Sequence, residues 1–168
     1  MKRHTAHVRA LDATLRELGY RADPDSGETA SRWLSVLEEY APGRPVPALD
    51  TFAAPSHDLV RFRALPFHSL CAHHLLPFFG EADIAYLPAS RIAGLGAVVK
   101  TLRHFARQPQ LQERLAAEVA DRLAAALEAP VAVRLRARQL CMEMRGVESG
   151  GEIEVVAFRN GADASFFG

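Results

Sequence analysis

Cys71 and His74 form a C-x-x-H pair, and Cys141 is the only other cysteine in the chain. Two side chains three residues apart in one tight turn can converge on a single ion. A set of two thiolates and one imidazole, with a fourth position left to water, is the donor chemistry of a catalytic zinc centre rather than a structural one. Iron accepts the same ligands. Spacing alone is equally compatible with two buried apolar thiols and a hydrogen-bonded core histidine, because no second close pair completes a zinc finger. The surrounding segment, FHSLCAHHLLPFFG, is neither clearly helical nor clearly alternating. It holds three of the seven histidines, a concentration that asks for a chemical explanation.

The elements that must position these residues follow from apolar spacing. Val8, Leu11, Leu15 and Leu18 predict a helix over His7 to Leu18, with Gly19 as its stop. After the polar turn ADPDSGE, a second helix is expected over Ala30 to Tyr40, with Trp33, Leu34 and Leu37 on one face. Pro42, Gly43, Pro45 and Pro47 end it, and the segment to Pro55 reads as a loop. A strand is expected from Asp58, with Val60, Phe62 and Ala64 alternating against Arg61, Arg63 and Leu65, and another over Ala82 to Leu87. Leu95, Val98, Val99, Leu102 and Phe105 predict a third helix. Leu111, Leu115, Val119, Leu123 and Leu127, beyond Pro109, predict a fourth. Two last strands alternate Val131, Val133, Leu135 and Ala137 with Arg134, Arg136 and Arg138, and Ile153, Val155 and Ala157 with Glu152, Glu154 and Val156. A hairpin closed by MRGVESGG would set arginines opposite glutamates. This order predicts an α+β domain with helices on one face of an antiparallel sheet.

Composition narrows the function classes. Lys plus Arg and Asp plus Glu are 20 each among 168 residues. No basic run interleaves with aromatics, so nucleic acid is not an expected partner. The opening MKRHTAHVRALDATL has no apolar stretch behind its charges. Neither a secretory signal nor a membrane span is therefore expected, and a cytoplasmic location is. In a reducing compartment two cysteines read as buried thiols, a redox pair or metal ligands rather than a disulfide. The length suits a single domain, expected to comprise N-terminal helices and a Pro-rich connection over 1–57 and a core over 58–168.

Taken in order, SLCAHHLLPFFGEADIAYLP, IAGL, FARQPQLQERL and LCMEMRGV resemble the GTP cyclohydrolase I family. That family's pattern has a C-E-H-H-L-L-P-F box, a Q-x-Q-E-R-L helix start and an H-x-C-M-x-M-R-G box. Four ordered boxes are far more specific than any one of them. The resemblance implies a tunnelling fold: an antiparallel sheet with two long helices on one face plus N-terminal helices. Such subunits assemble into a β-barrel toroid, commonly a decameric homo-oligomer with sites between subunits. It implies Zn2+ held by Cys71, His74 and Cys141, with His73 in proton transfer. Glu113, with its neighbour Gln112, would grip the guanine edge. Arg145, Lys100 (where the family usually has Arg) and Arg32 would hold the triphosphate. Taken singly, Glu113, Lys100 and Arg32 also read as solvated surface groups.

The implied reaction suits these residues. Opening the imidazole ring of a guanine nucleotide such as GTP, towards 7,8-dihydroneopterin triphosphate, needs water added at C8 and protons delivered to ring nitrogens. Zinc lowers the pKa of bound water from about 15.7 to about 7, and an imidazole can move the protons. The departures from the family pattern are Ala72 for Glu in C-E-H-H, Gln139 for His in H-x-C-M, Gly96-Ala97 for Ser-Lys, and GEIEVVAF in place of a hydroxyl-rich strand. Gln139 stands where the family has a second proton carrier, and an amide cannot ionise. An enzyme that stops at a ring-opened formamidopyrimidine, or that uses another purine, is therefore an alternative expectation. A non-catalytic toroid-forming paralogue is a second. The related nitrile reductases of deazapurine metabolism share the fold, but the C-x-H-H box speaks against them.

Overall fold

Helical periodicity at the start of the chain becomes α1 (Lys2–Glu17) and α2 (Thr29–Glu39) in a computed structural model that describes residues 2–20 and 28–168. Val8, Leu11 and Leu15 lie half-buried along α1, as their spacing predicts, and Leu34 and Leu37 do so along α2. Leu18 and Trp33 stay exposed, at 69% and 40%. Residues 22–27 of the expected polar turn ADPDSGE lie outside the described residues. These helices make one compact unit, Met1–Ala41, and Pro42–Gly168 make a second. The Pro-rich connection thus belongs with the second unit. It carries β1 (Thr51–Ala53), which pairs antiparallel with β4 (Arg91–Ala93), a small sheet that no alternation announced.

The second unit is built on a five-stranded sheet of order β5-β2-β3-β6-β7. Its strands are β2 (Val60–Cys71), β3 (Pro77–Tyr86), β5 (Pro109–Gln110), β6 (Val131–Gln139) and β7 (Glu152–Arg159). All neighbours run antiparallel except β2 and β5, which are parallel over two residues. The helices α3 (Leu95–Ala106) and α4 (Gln112–Leu127) supply the rest of the core, and a single 3-10 turn spans Ala164–Phe167. Leu115, Val119, Leu123 and Leu127 of α4 are 0% exposed and meet Ile84, Val133 and Leu135 of the sheet. Truncating one such leucine to alanine removes about 2–5 kcal/mol in well-packed cores. Leu95, expected in the apolar stripe of α3, is 71% exposed, because the helix buries Ala97, Val98, Thr101 and Leu102 instead. Gly80 is required by crowding: a Cβ there would sit 1.9 Å from the Arg136 carbonyl oxygen on β6. This α+β architecture is the tunnelling fold that the sequence motifs imply.

The simple alternation expected from Asp58 fails at one place. Phe62 pairs with Ile84 and Leu65 with Ala82, so Arg63 and Ala64 together oppose Asp83, a β-bulge. The extra residue lets Phe62 and Leu65 both pack on the core and turns Ala64 outward, the reverse of the expected faces for Ala64 and Leu65. Ala64 takes φ 53, a left-handed conformation unfavourable for a residue with a Cβ. The freed Ala64 N–H donates to Asp83 Oδ1 at 2.9 Å, while Arg134 and Arg136 donate to Asp83 Oδ2. The expected arginine–glutamate register of β6 and β7 is present, with Arg136 opposite Glu154 and Arg138 opposite Glu152. The short ion pairs run elsewhere. Arg134 and Arg136 turn to Asp83 on β3, at 2.6 and 3.1 Å, because that carboxylate is only 8% exposed and is the better-desolvated partner.

Burial alone would raise the Asp83 pKa. The Ala64 N–H and the two guanidiniums outweigh it and hold the carboxyl below its usual range. A depressed pKa contributes stability that is present above the unfolded value of about 3.9 and is lost as pH falls through the folded value. Asp83→Ala is therefore expected to cost about 1–3 kcal/mol at neutral pH, and the gap to wild type should close in acid below about pH 4. Denaturant melts of both proteins across pH measure this, and an equal gap at every pH would refute it.

Candidate metal centre and active site

The cluster segment resolves into the end of β2, a tight turn and the start of β3. Cys71 N–H donates to Leu76 O and Leu75 N–H to Cys71 O, both at 2.8 Å, closing the turn Ala72–His74 with Leu75 at φ 52. This turn folds the C-x-x-H spacing into a chelating loop, with Cys71 Sγ 3.7 Å from His74 Nδ1. A second support comes from β5, where Gln110 O accepts from Ala72 N–H at 2.9 Å. Gln110 is itself 1% exposed, and its amide is tied to Phe105 O, Glu118 and Arg114.

The third donor arrives through sheet register. Leu70 pairs with Pro77 and Phe78 with Gln139, so the end of β6 lies beside the turn. The next residues form the short helix α5 (Leu140–Glu143), which carries Cys141. Arg138 and Glu143 brace this corner with a two-pronged ion pair at 2.5 and 3.0 Å. One ligand atom each from Cys71, His74 and Cys141 lies within 4.8 Å of the others. A tetrahedral ion with bonds of about 2.3 Å to sulfur and about 2.0–2.1 Å to nitrogen sets its ligand atoms roughly 3.5–3.8 Å apart. The donor set fits zinc in chemistry, and its spread exceeds that ideal by no more than about 1 Å. Cys71 is buried, Cys141 half-buried and His74 exposed, which leaves the cluster reachable from solvent. Burial and the adjacent Cys71 push the Cys141 thiol up, and the Arg145 charge opposes them. A bound dication reverses such a bias by favouring thiolates.

The other expected residues fall into two groups. His73 is exposed beside His74, with ring centroids 6.1 Å apart and planes nearly perpendicular. Glu113 is exposed in the first turn of α4, and Arg145 is exposed just beyond α5. Gln139 and Gln112 bond to each other. Gln139 Nε2 donates to Gln112 Oε1 at 2.8 Å, and Gln139 Oε1 lies 4.0 Å from Cys141 Sγ. Gln112, read from its motif as a substrate contact, faces inward at 3% exposure. Its amide donates to Leu135 O and Ile153 O, tying α4 to β6 and β7. Lys100 is exposed on α3. Arg32 is on α2 in the first unit, where it pairs with Glu28 at 3.5 Å.

The GTP cyclohydrolase I family model matches residues 8–163. The chain belongs to the GTP cyclohydrolase I family. GTP cyclohydrolase 1 of Aquifex aeolicus is 42% identical over 149 residues, covering 85% of this chain and 80% of that one. The enzyme of the same name from Corynebacterium glutamicum is 36% identical over 176 aligned positions, covering 96% and 87%. Among solved structures, that of the archaeosine synthase QueF-Like in the apo form superposes with a TM-score of 0.51 at 22% identity. It covers 64% of this chain and 99% of that one, a likeness of fold. Within this family member, sequence reading missed Gln110 and the Arg138–Glu143 brace. A buried glutamine has no periodic signal, although its place in Q-P-Q-L-Q-E-R-L, two residues from both Gln108 and Gln112, was a hint. The brace joins side chains five residues apart across a strand end, a spacing with no pattern of its own.

Proposed function

We propose that the chain is a zinc-dependent purine-ring hydrolase. It adds water at C8 of GTP and opens the imidazole ring, towards 7,8-dihydroneopterin triphosphate. The observation that carries this reading is the convergence of Cys71, His74 and Cys141 in a member of this family, with His73 exposed beside them. When bound, zinc would supply a Lewis acid and an acidified water at its open position. The chain's own residues do the rest. His73 passes a proton to the ring nitrogen that leaves C8, as an imidazole can near neutral pH. Glu113 accepts from N1–H and the 2-amino group of guanine, and other bases would leave its charge unpaired. Arg145 and Lys100 hold the triphosphate through charge-assisted hydrogen bonds. Gln112 acts from behind as a positioning residue, fixing Gln139 and the α4 start that presents Glu113. Assembly into a homo-oligomeric ring with sites between subunits is part of the proposal. The open edge of β7, with Ile153 and Phe158 37% and 38% exposed, supports it.

A second reading rests on Gln139. Its amide carries no ionisable proton and is already engaged with Gln112. In this reading, hydration at C8 survives while formate release or ring closure is slow, and a formamidopyrimidine accumulates. Zinc-loaded protein incubated with GTP, with formate and pterin fluorescence followed together, separates the two. Full yield of fluorescent pterin with formate in step supports the complete reaction; GTP consumed to a formamidopyrimidine without matching formate or pterin supports the second reading, and GTP left intact would refute hydrolysis altogether. If Gln139 limits the later step, Gln139→His should raise pterin formation by about tenfold or more, the low end of what general acid–base catalysis contributes. An unchanged rate would place the limit elsewhere.

A further inference from the structure

A second polar site lies at the other end of the same sheet. Asp83 is six residues along β3 from Pro77, which pairs with Leu70 beside Cys71. At about 3.3 Å per residue this is roughly 20 Å from the metal cluster. A cleft of about 240 Å³ opens there, lined by Arg61, Arg63, Asp83, Arg134, Arg136 and Phe167 among others, and it shares no residue with the metal cluster. Four arginines line the cleft, and two of them, Arg134 and Arg136, bond to its one buried carboxylate side chain.

The cleft is built rather than incidental. The Asp83 side chain is 8% exposed and takes hydrogen bonds from the Ala64 N–H, Arg134 and Arg136, fixing both arginines side by side. Its partner strand is held in the left-handed bulge at Ala64, and backbone strain of this kind persists only where the surroundings over-determine it. One wall is the terminal 3-10 turn, whose Phe167 ring stacks 4.4 Å from the Arg134 guanidinium. Arg61 pins that wall by donating to Phe166 O and Ser165 O, at 2.8 and 3.2 Å. These contacts spend its donors on neutral carbonyls, and its guanidinium lies against the terminal Gly168.

Among the side chains that line the cleft, arginines outnumber carboxylates four to one. Glu81 and Glu154 reach Arg136 and Arg134 only at 3.8 and 3.9 Å, and their side chains are 56% and 51% exposed, so solvent screens them. Arg63 is exposed and has no ion pair or hydrogen bond among the described residues. An arginine fork of this kind matches the oxygens of a tetrahedral oxyanion. We propose that this cleft binds a small oxyanion: phosphate, either free or as the terminal group of a small metabolite whose remainder packs against Phe167. The cleft volume suits a ligand smaller than a nucleotide triphosphate.

The test uses the full zinc-loaded chain carrying Arg145→Ala, Lys100→Ala and Arg32→Ala, so that none of the cations expected at the triphosphate contributes. Calorimetric titration with inorganic phosphate, and separately with ribose 5-phosphate, is expected to show one site per chain. Arg63→Ala should weaken it about tenfold or more, and Arg63→Lys, which keeps the charge but not the fork, should restore only part of the loss. Whichever probe binds more tightly identifies the free ion or the ester as the natural form. Because Arg63 is exposed and unpaired, its replacement leaves the fold intact, and a melt confirms this. Crystals of the same protein soaked in sodium selenate should show an anomalous peak between Arg61, Arg63 and Arg136, absent in Arg63→Ala. No peak in the cleft, or phosphate affinity unchanged by Arg63→Ala, would overturn the proposal.

Discussion

Cys141→Ser is expected to abolish turnover of GTP while leaving the chain folded. Cys141 stands on α5, half-buried at the end of β6, and its Sγ completes the three-donor cluster. An alcohol is a far weaker ligand than a thiolate for zinc, so the loss in metal affinity should exceed the roughly 10–100-fold that removal of an outer supporting group costs. Stability should fall only modestly in the metal-free state, because serine is close in size and the core beneath α5 is untouched. The check is paired: metal content after dialysis and kcat with GTP. A Cys141→Ser protein that keeps stoichiometric zinc and full kcat would remove Cys141 from the centre.

Glu113→Ala should give the second large effect, with a different signature. Two charge-assisted hydrogen bonds to the guanine edge, at about 1.5–3 kcal/mol each, correspond to a loss of roughly 10²–10⁴ in kcat/KM. Metal content should be unchanged, since Glu113 is not among the three donors. The melting temperature should barely move, because the side chain is exposed and its interaction with the α4 dipole is worth about 0.3–1 kcal/mol. Glu113→Gln should fall between the two proteins, keeping one acceptor and losing the charge. A Glu113→Ala enzyme within about threefold of wild type on GTP would leave the glutamate as a solvated first-turn residue.

How far the sequence disclosed these features depended on whether a local period carried them. The 3.6-residue spacing of Leu115, Val119, Leu123 and Leu127 marked α4 because all four face one core. The alternation of β6 and β7 likewise set their register. Alternation misled between Phe62 and Leu65, where one inserted residue reverses the faces and only the partner strand reveals it. The small β1–β4 sheet and the two-residue β5 were invisible because strands so short have no period. The donor trio was legible as chemistry but not as geometry. C-x-x-H brings Cys71 to His74 through a local turn, whereas Cys141 comes close only through the β3–β6 register, 70 residues along the chain. The inward turn of Gln112 was hidden for the same reason, since its partners Leu135, Gln139 and Ile153 are distant in sequence.

The most direct measurement is of the metal itself, by elemental analysis of the purified chain together with X-ray absorption at the zinc edge. One zinc per chain is predicted, with two sulfur ligands at about 2.3 Å and nitrogen or oxygen ligands at about 2.0–2.1 Å. A chain without a stoichiometric transition metal, or a metal without sulfur neighbours, would contradict the account.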